Sequence, residues 1–505
     1  MFQDTVFAFC LRILSGGRLM RRRLPPIEAA VKQEGDRLVV GWAGKDDPDN
    51  PKNWPFIQKI FLTFLVCMTT TFVYMGSTII TPAIELVQKE FNVGQPVASL
   101  SISLFVWGYA LGPCILSPLS ELSGVGRNWI YIISIGIFCI LQVPTALVGN
   151  LPCFLILRFL AGVAGSPVLS TGGASMGDLW HVDGGFFNAI AYWSMSAYGA
   201  PPPPAIGGFA AQALGWRWAI WPMLFMSGLA WVVIFFFLPE TSEDAILTLR
   251  ARAMRARTGD MQIRSVGERL DEHVTFSHLL YETFVRPFEL TITEPIMLFS
   301  NVYIAYVYGI LYCFFEAFPI TFVDKRGFNI GQLGLAFVSG WAVASIALTL
   351  YCIYNNVSVA RHFKNGTWQP EYRMTVCLVG GVVFAGCLFW FGWTSFASVH
   401  FMSPIAAYGG IVAGVFLLFQ GFLGYIGENY PRYMASAYAS NSMLRALFGG
   451  AFPPFSTTMF EHLTVQGGCS LLGGLGLLLI PFTVLFYFKG ASLRARSKKA
   501  GIPPL

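Results

Sequence analysis

The chain has 505 residues, 55% of them apolar and 12% charged, with a mean hydropathy of +0.58 and a formal net charge of +6. Soluble globular proteins carry roughly 25% charged residues, so this composition excludes an ordinary soluble enzyme, and the lack of a Gly-X-Y period excludes a fibrous protein. The basic residues lie in the gaps between apolar segments, which speaks against nucleic-acid binding, and the ten cysteines contain no CxxC pair and suggest no disulfide framework.

Residues 6–15 (VFAFCLRILS) are apolar but short and run into Arg21, Arg22 and Arg23 without a small-residue cleavage site, so no cleavable signal peptide is expected. The segment reads either as an interfacial helix or as a disordered tail with a few apolar residues. Residues 24–60 are polar, and DDPDNPKNWPF holds too many Pro and Asn to continue a helix. Six apolar segments follow, near 61–82, 98–117, 129–149, 153–176, 186–211 and 218–238, the fifth with four consecutive prolines that should bend or unwind it.

A polar interval at 239–294 carries seven arginines and no lysine, and six more apolar segments lie near 295–320, 331–354, 374–396, 402–424, 434–457 and 470–489. Each segment is about 20 residues long, enough to cross a ~30 Å hydrocarbon core as a helix, the only open-ended structure that satisfies its backbone in lipid. The expected fold is therefore all-α: a twelve-helix membrane transporter of two six-helix bundles. The expected divisions are a tail at 1–60, a bundle at 61–238, a basic hinge at 239–294, a second bundle at 295–489 and a tail at 490–505.

Lys and Arg number 27 in the segments on the side of the termini and hinge and four on the other side, which points to a cytoplasmic hinge and cytoplasmic termini. Asn356 and Asn365 match the glycosylation pattern but fall in an expected inner loop, and read as chance matches. Within the hinge, Ile246, Leu249 and Ala253 recur at helical spacing opposite Arg250, Arg252 and Arg257. This reads as an amphipathic helix whose arginines meet anionic lipid at the inner face, or as a basic solvated linker.

A charge inside a span usually faces protein or water, because lipid exposure costs about 2.5–3.5 kcal/mol even on the lenient scale. Arg158, Arg445 and Glu316 are such charges. A carboxylate taken out of water suits proton exchange, so Glu316 is the candidate coupling residue, with an interfacial glutamate as the plain alternative. Arg158 reads as a cavity charge or as a snorkelling arginine, and Arg445 as a cavity residue or a structural bridge. Asp178 closes the fourth span and reads as a brace of the inner gate. Aromatic residues in spans one and seven, including Tyr74, Tyr306 and Phe314, suit planar apolar compounds or organic cations, although lipid packing explains such residues equally well.

SPLSELSGVGRNWIY at 117–131, RFLAGVAG, PPAIGGF, DPDNPKNWP, LPET and YASNSMLRALFGGAFPPF together resemble the major facilitator superfamily, and within it the fungal twelve-span drug:proton antiporters of the polyamine and multidrug-resistance subgroup. The resemblance covers about residues 46–490. It implies a central cavity open alternately to each side, with Glu121 and Arg127 as an inner gate latch and Arg158 in proton coupling. It also implies Pro204, Gly207 and Gly208 as the antiporter motif, and Asn441 with Arg445 as a span-eleven pair. Pro203 stands where that motif usually has glycine, Ser117 opens the loop motif in place of glycine, and HVDGGFF after Asp178 lacks the usual basic residue.

The function these residues imply is export of drugs, toxins or polyamine-like organic compounds in exchange for protons, by a monomer in the plasma membrane. Alternatives are uptake or vacuolar transport of a narrow metabolite, and a transport-dead sensor or scaffold. No cofactor or metal is expected. HExxH and GxxxxGK[ST] are missing from the sequence, and its one GxSxG match, GASMG at 173–177, falls at the end of the fourth apolar segment instead of in a strand-to-helix turn, which disfavours an enzyme and ATP-driven export.

Overall fold

The computed structural model describes residues 5–15, 25–26, 30–34, 37–181, 184–198, 203–272, 281–430, 434–497 and 499–500. Ten helical stretches among them are long and apolar enough to cross a membrane. Spans one to four are Phe56–Thr78, Gln95–Glu121, Gly126–Leu147 and Leu151–Leu179. Span five is in two shorter pieces, Gly184–Tyr198 and Pro203–Leu214. Residues 199–202 between them, with Pro201 and Pro202 of the proline run, lie outside the described residues, and the expected bend falls there. Span six is Trp221–Phe237.

Span seven is Pro295–Phe318, and span eight is Ile330–Ala336 followed by Val338–Tyr354. Spans nine and ten are Arg373–Thr394 and Met402–Asn429. The last two crossings form one stretch, Met434–Arg496, broken at Thr464, whose φ of 60° is non-helical. Twelve crossings result. Large apolar side chains such as Ile140, Leu147, Phe225 and Leu350 are exposed along the outside of the spans, as lipid-facing positions require.

Spans two, three and four pack together, with one and six beside them, while seven, nine, ten and twelve form the matching group. The groups meet where span two lies against span eleven and span five against span eight. Thr5 bridges to Pro239 and Lys499 pairs with Glu289, so both ends of the chain share one face with the hinge. We call this the hinge face, and the opposite one the far face.

Val6–Leu14 forms a helix capped by Thr5, with Phe7 and Phe9 against Phe236 and Trp129. The segment is helical, as one of the two readings of it expects. The hinge and tail also build a small unit that the sequence analysis lacks. Strands β1 (Val31–Glu34) and β2 (Arg37–Val40) pair antiparallel, and β3 (Arg264–Ser265) joins β2 in parallel. The hinge helix Glu243–Thr258 covers the sheet, and Ala30, Val40, Leu247, Ala251, Met254 and Ile263 form a core of their own.

This corrects the expected face of the hinge helix. Its buried side holds Ile246, Leu247, Arg250, Ala251 and Met254, whereas Leu249 and Ala253 are half-buried. Arg250 meets protein carboxylates instead of lipid, because Asp47 and Asp49 from the tail are there to pair with it. Arg252 and Arg257 stay exposed.

Candidate functional site

On the hinge face, the chain turns from span two into span three at Gly126, whose φ of +75° is a conformation that L side chains rarely adopt. The turn brings the first backbone N–H groups of span three onto the Glu240 carboxylate. Oε1 accepts from Arg127 at 3.1 Å and Oε2 from Asn128 at 3.1 Å, while Thr241 and Ser242 donate to Oε1 at 2.9 Å each. An acid at the positive end of a helix satisfies N–H groups that have no partner within it. Burial pushes the Glu240 carboxyl above its ordinary range, against the downward pull of those N–H groups and of Arg127.

With its backbone fixed in this way, Arg127 reaches the last turn of span four. Its Nε lies 2.7 Å from Asp178 Oδ2, and Nη2 donates to Oδ1 at 3.1 Å, a two-pronged pair with both side chains mostly buried. The direct ion-pair partner is thus Asp178, while Glu121, exposed at the end of span two, adds its negative charge at longer range. Glu240 is the residue that sequence reasoning missed. The signal was its place in LPET, an acid directly after the proline that ends span six.

A second constellation lies between the bundles. Glu316 of span seven is buried and accepts from the first turns of span two, with Ser99 Oγ at 2.7 Å from Oε1 and Gln95 Nε2 on Oε2, while Thr457 of span eleven bonds it from its own bundle. Two residues further on, the Ser101 carbonyl accepts from Arg158 Nε at 3.0 Å. The Arg158 guanidinium stacks 4.6 Å from the Phe105 ring, and its Nη2 has no hydrogen-bond partner among the described residues. Arg158 is buried at 1% exposure, so it does not snorkel.

Deeper in the interface, Tyr109 of span two bonds through its hydroxyl to Tyr308 and, at 3.0 Å, to Tyr312, both of span seven. Tyr312 reaches Ser77 of span one at 3.4 Å, and Tyr74 lies against the same phenols. Arg445 stacks 5.1 Å from the Tyr308 ring and 5.5 Å from Phe419, and donates to Ser442. Tyr109 was not recognised from sequence, and Tyr308 and Tyr312 had not been separated from the other aromatics of span seven.

The remaining predicted cavity residues fall elsewhere. Tyr306 donates to the Leu472 carbonyl, away from the other bundle. Phe314 packs among Phe391 and Tyr408 inside its own bundle. Asn441 donates to Asn301 at 3.0 Å and so ties span eleven to span seven. A helix that carries aromatics on every side presents only some of them to the interface.

The antiporter-motif residues mark a close approach. A Cβ on Gly207 would meet the Ile79 carbonyl at 2.0 Å, and one on Gly208 the Ile330 carbonyl at 2.7 Å, so span five can touch spans one and eight only without side chains there. Pro204 lies in the same contact: its carbonyl would be 2.3 Å from a Cβ on Gly334 of span eight. Toward the hinge face the bundles are bridged again, by Asn188 on Asn356 at 3.0 Å and by Gln420 on Ser194.

A twelve-span fold with polar residues concentrated between two helix groups defines a membrane transporter, and not an enzyme. The sequence pattern of the Major Facilitator Superfamily matches residues 66–454, and the chain belongs to that family. It is similar to Transporter mfs1 of Schizosaccharomyces pombe, 39% identical over 478 residues that cover 93% of this chain and 90% of that one. It is also similar to Fluconazole resistance protein 1 of Saccharomyces cerevisiae, 38% identical over 473 residues, 92% and 85% of the two chains. The Cycloheximide resistance protein of Candida maltosa is 36% identical over 488 residues, 94% and 88%. Among solved structures, the proton:xylose symporter XylE bound to 6-bromo-6-deoxy-D-glucose superposes with a TM-score of 0.62 at 14% identity, over 86% of this chain and 97% of that one, a likeness of fold.

Proposed function

We infer that the protein exports amphipathic drug-like compounds across the plasma membrane in exchange for protons, with the hinge face and both termini in the cytoplasm. The observation that carries this reading is Glu316, a buried carboxylate that accepts hydrogen bonds from Ser99 and Gln95 of the opposite bundle. An ionised Glu316 holds span two against span seven. A proton arriving from the far face turns the acceptor into a neutral acid, weakens that tie and lets the bundles part. Loss of the proton toward the hinge face restores it. Arg158 fixes the potential around span two from the other side, through Ser101 and Phe105.

The names of two relatives refer to resistance to fluconazole and to cycloheximide, in keeping with export of organic compounds. Arg158 and Arg445 give the interface a positive field. That field disfavours polyamines and organic cations, so uncharged amphipathic cargo with aromatic surface is the preferred class, docking against Tyr74, Tyr109, Tyr308 and Tyr312. Arg127, Asp178 and Glu240 form the latch on the cytoplasmic side, and the Pro204, Gly207 and Gly208 contact is the seal toward the outside. Exposed Arg252 and Arg257 lie near anionic headgroups. Vesicles holding the purified protein and a neutral fluorescent drug test the reading: efflux accelerates when a proton gradient is imposed and slows when it is collapsed. Efflux indifferent to the gradient contradicts proton exchange.

A further inference from the structure

Arg250, on the hinge helix and outside the spans, is a fully buried cation with a side-chain exposure of 0%. Everything that satisfies it comes from the tail. Nη1 donates to Asp47 Oδ2 at 2.8 Å and to the Gly41 carbonyl at 3.2 Å, and Nη2 to Asp47 Oδ1 at 3.1 Å and Asp49 Oδ2 at 2.7 Å. The guanidinium also stacks 5.3 Å from Trp42, whose Nε1 bonds Glu243 at 2.6 Å. Asp47 is fixed in turn by the backbone N–H groups of Ala43 and Asp49. A planar fork buried between two carboxylates is a geometry that lysine cannot reproduce.

From this point, contacts lead to the latch by two routes. Along the tail, the Lys52 carbonyl accepts from Lys59, whose ammonium lies 5.6 Å over the Trp180 ring, two residues beyond Asp178. Through the hinge, Asp271 accepts from both the backbone N–H and the hydroxyl of Ser123, at 2.9 and 2.7 Å, in the loop that leads to Arg127. The hinge unit therefore grips both partners of the Arg127–Asp178 pair, and Arg250 joins the two routes.

We propose that Arg250, with Asp47 and Asp49, forms a clamp between tail and hinge that positions the Arg127–Asp178 pair from a distance. The clamp is a positioning device and does not touch cargo. Its action does not depend on which compound is moved, or on whether a proton is exchanged.

Backbone hydrogen exchange of the full chain in lipid nanodiscs tests this without a transport assay. Arg250→Ala is expected to speed exchange at residues 122–128 by about 10-fold, as well as in the tail. A disulfide between Val39→Cys and Arg264→Cys, register partners across the parallel β2–β3 pair, with the exposed Cys153 replaced by Ser, is expected to restore slow exchange at 122–128 in the Arg250→Ala background. Exchange that rises in the tail and hinge helix but stays unchanged at 122–128 overturns the proposal, as does failure of the disulfide to restore it. If Arg250→Ala does not accumulate, Asp49→Asn, which keeps the shape of a half-exposed partner, is expected to give about 3-fold faster exchange at 122–128. Unchanged exchange there overturns the proposal equally.

Discussion

Replacing Gly126 by Ala strikes the turn on which the latch is built. Two costs follow from the geometry. The residue has a φ of +75°, where an L side chain costs roughly 1–2 kcal/mol. The new Cβ would also stand 2.3 Å from Glu240 Oε2 and 3.0 Å from the Ala245 Cβ. The carboxylate must move, and at least the Oε2 bond from Asn128 is lost. Hydrogen bonds to charged groups contribute about 1.5–3 kcal/mol each. Together these costs destabilise the fold by about 2.5–5 kcal/mol, a drop on the order of 5 °C in the apparent melting temperature of a chain this long. Gly149→Ala is the matched control, since a Cβ there meets nothing within 4 Å. Thermal unfolding followed by native tryptophan fluorescence in detergent measures both variants. A Gly126→Ala protein that melts with the wild type, or no lower than Gly149→Ala, refutes the capping role given to Glu240.

Three further expectations follow. Arg127→Ala leaves Asp178 without its buried counter-charge, at a cost of roughly 3–5 kcal/mol, whereas adding Asp178→Ala is expected to recover a large part of that loss. A double variant whose loss equals the sum of the two single losses would show that the pair is not coupled. Arg158→Lys keeps the charge but loses the fork on Ser101 and the stacking on Phe105, so export is expected to fall by about 10-fold at matched protein levels; undiminished export would reduce its role to charge alone. For the clamp, burial alone would raise Asp47, but bonds from Arg250, Ala43 and Asp49 outweigh it and hold the carboxyl below its ordinary range. The stability it gives is thus present above about pH 4 and lost as pH falls through the lowered value. Spin labels at Lys45 and Arg257 should keep their separation from neutral pH down through the ordinary aspartate range and move apart only in stronger acid, and a separation already lost within the ordinary range counts against the clamp.

Much of this architecture was legible because lipid imposes its own length and polarity on each crossing. Twelve apolar segments, a basic interval between them and charges confined to the gaps leave few other folds. Buried charges were equally visible: Arg158, Glu316 and Arg445 stand out in apolar runs whatever their partners. The partners themselves were not legible. Glu121, Arg127 and Asp178 all read as inner-gate residues, but which carboxylate pairs with Arg127 did not, and that partner is Asp178. Glu240 caps a helix whose N–H groups lie 113 and 112 positions earlier in sequence. Arg250 looked lipid-facing because its carboxylates lie 203 and 201 positions away. In span seven, periodicity showed that some aromatics share a face but not which face meets span two. Tyr308 and Tyr312 do so, while Tyr306 and Phe314 turn into their own bundle.

The claim that most needs a direct measurement is that Glu316 carries the exchanged proton, from which it follows that cargo docking at the neighbouring phenols displaces that proton. Purified protein in weakly buffered detergent solution, mixed with the neutral dye Nile red while the pH is recorded, reports protons released on binding. The account predicts release of about one proton per dye bound by the wild type, and dye binding without release by Glu316→Gln. Binding with no release by the wild type, or the same release from Glu316→Gln, would contradict it.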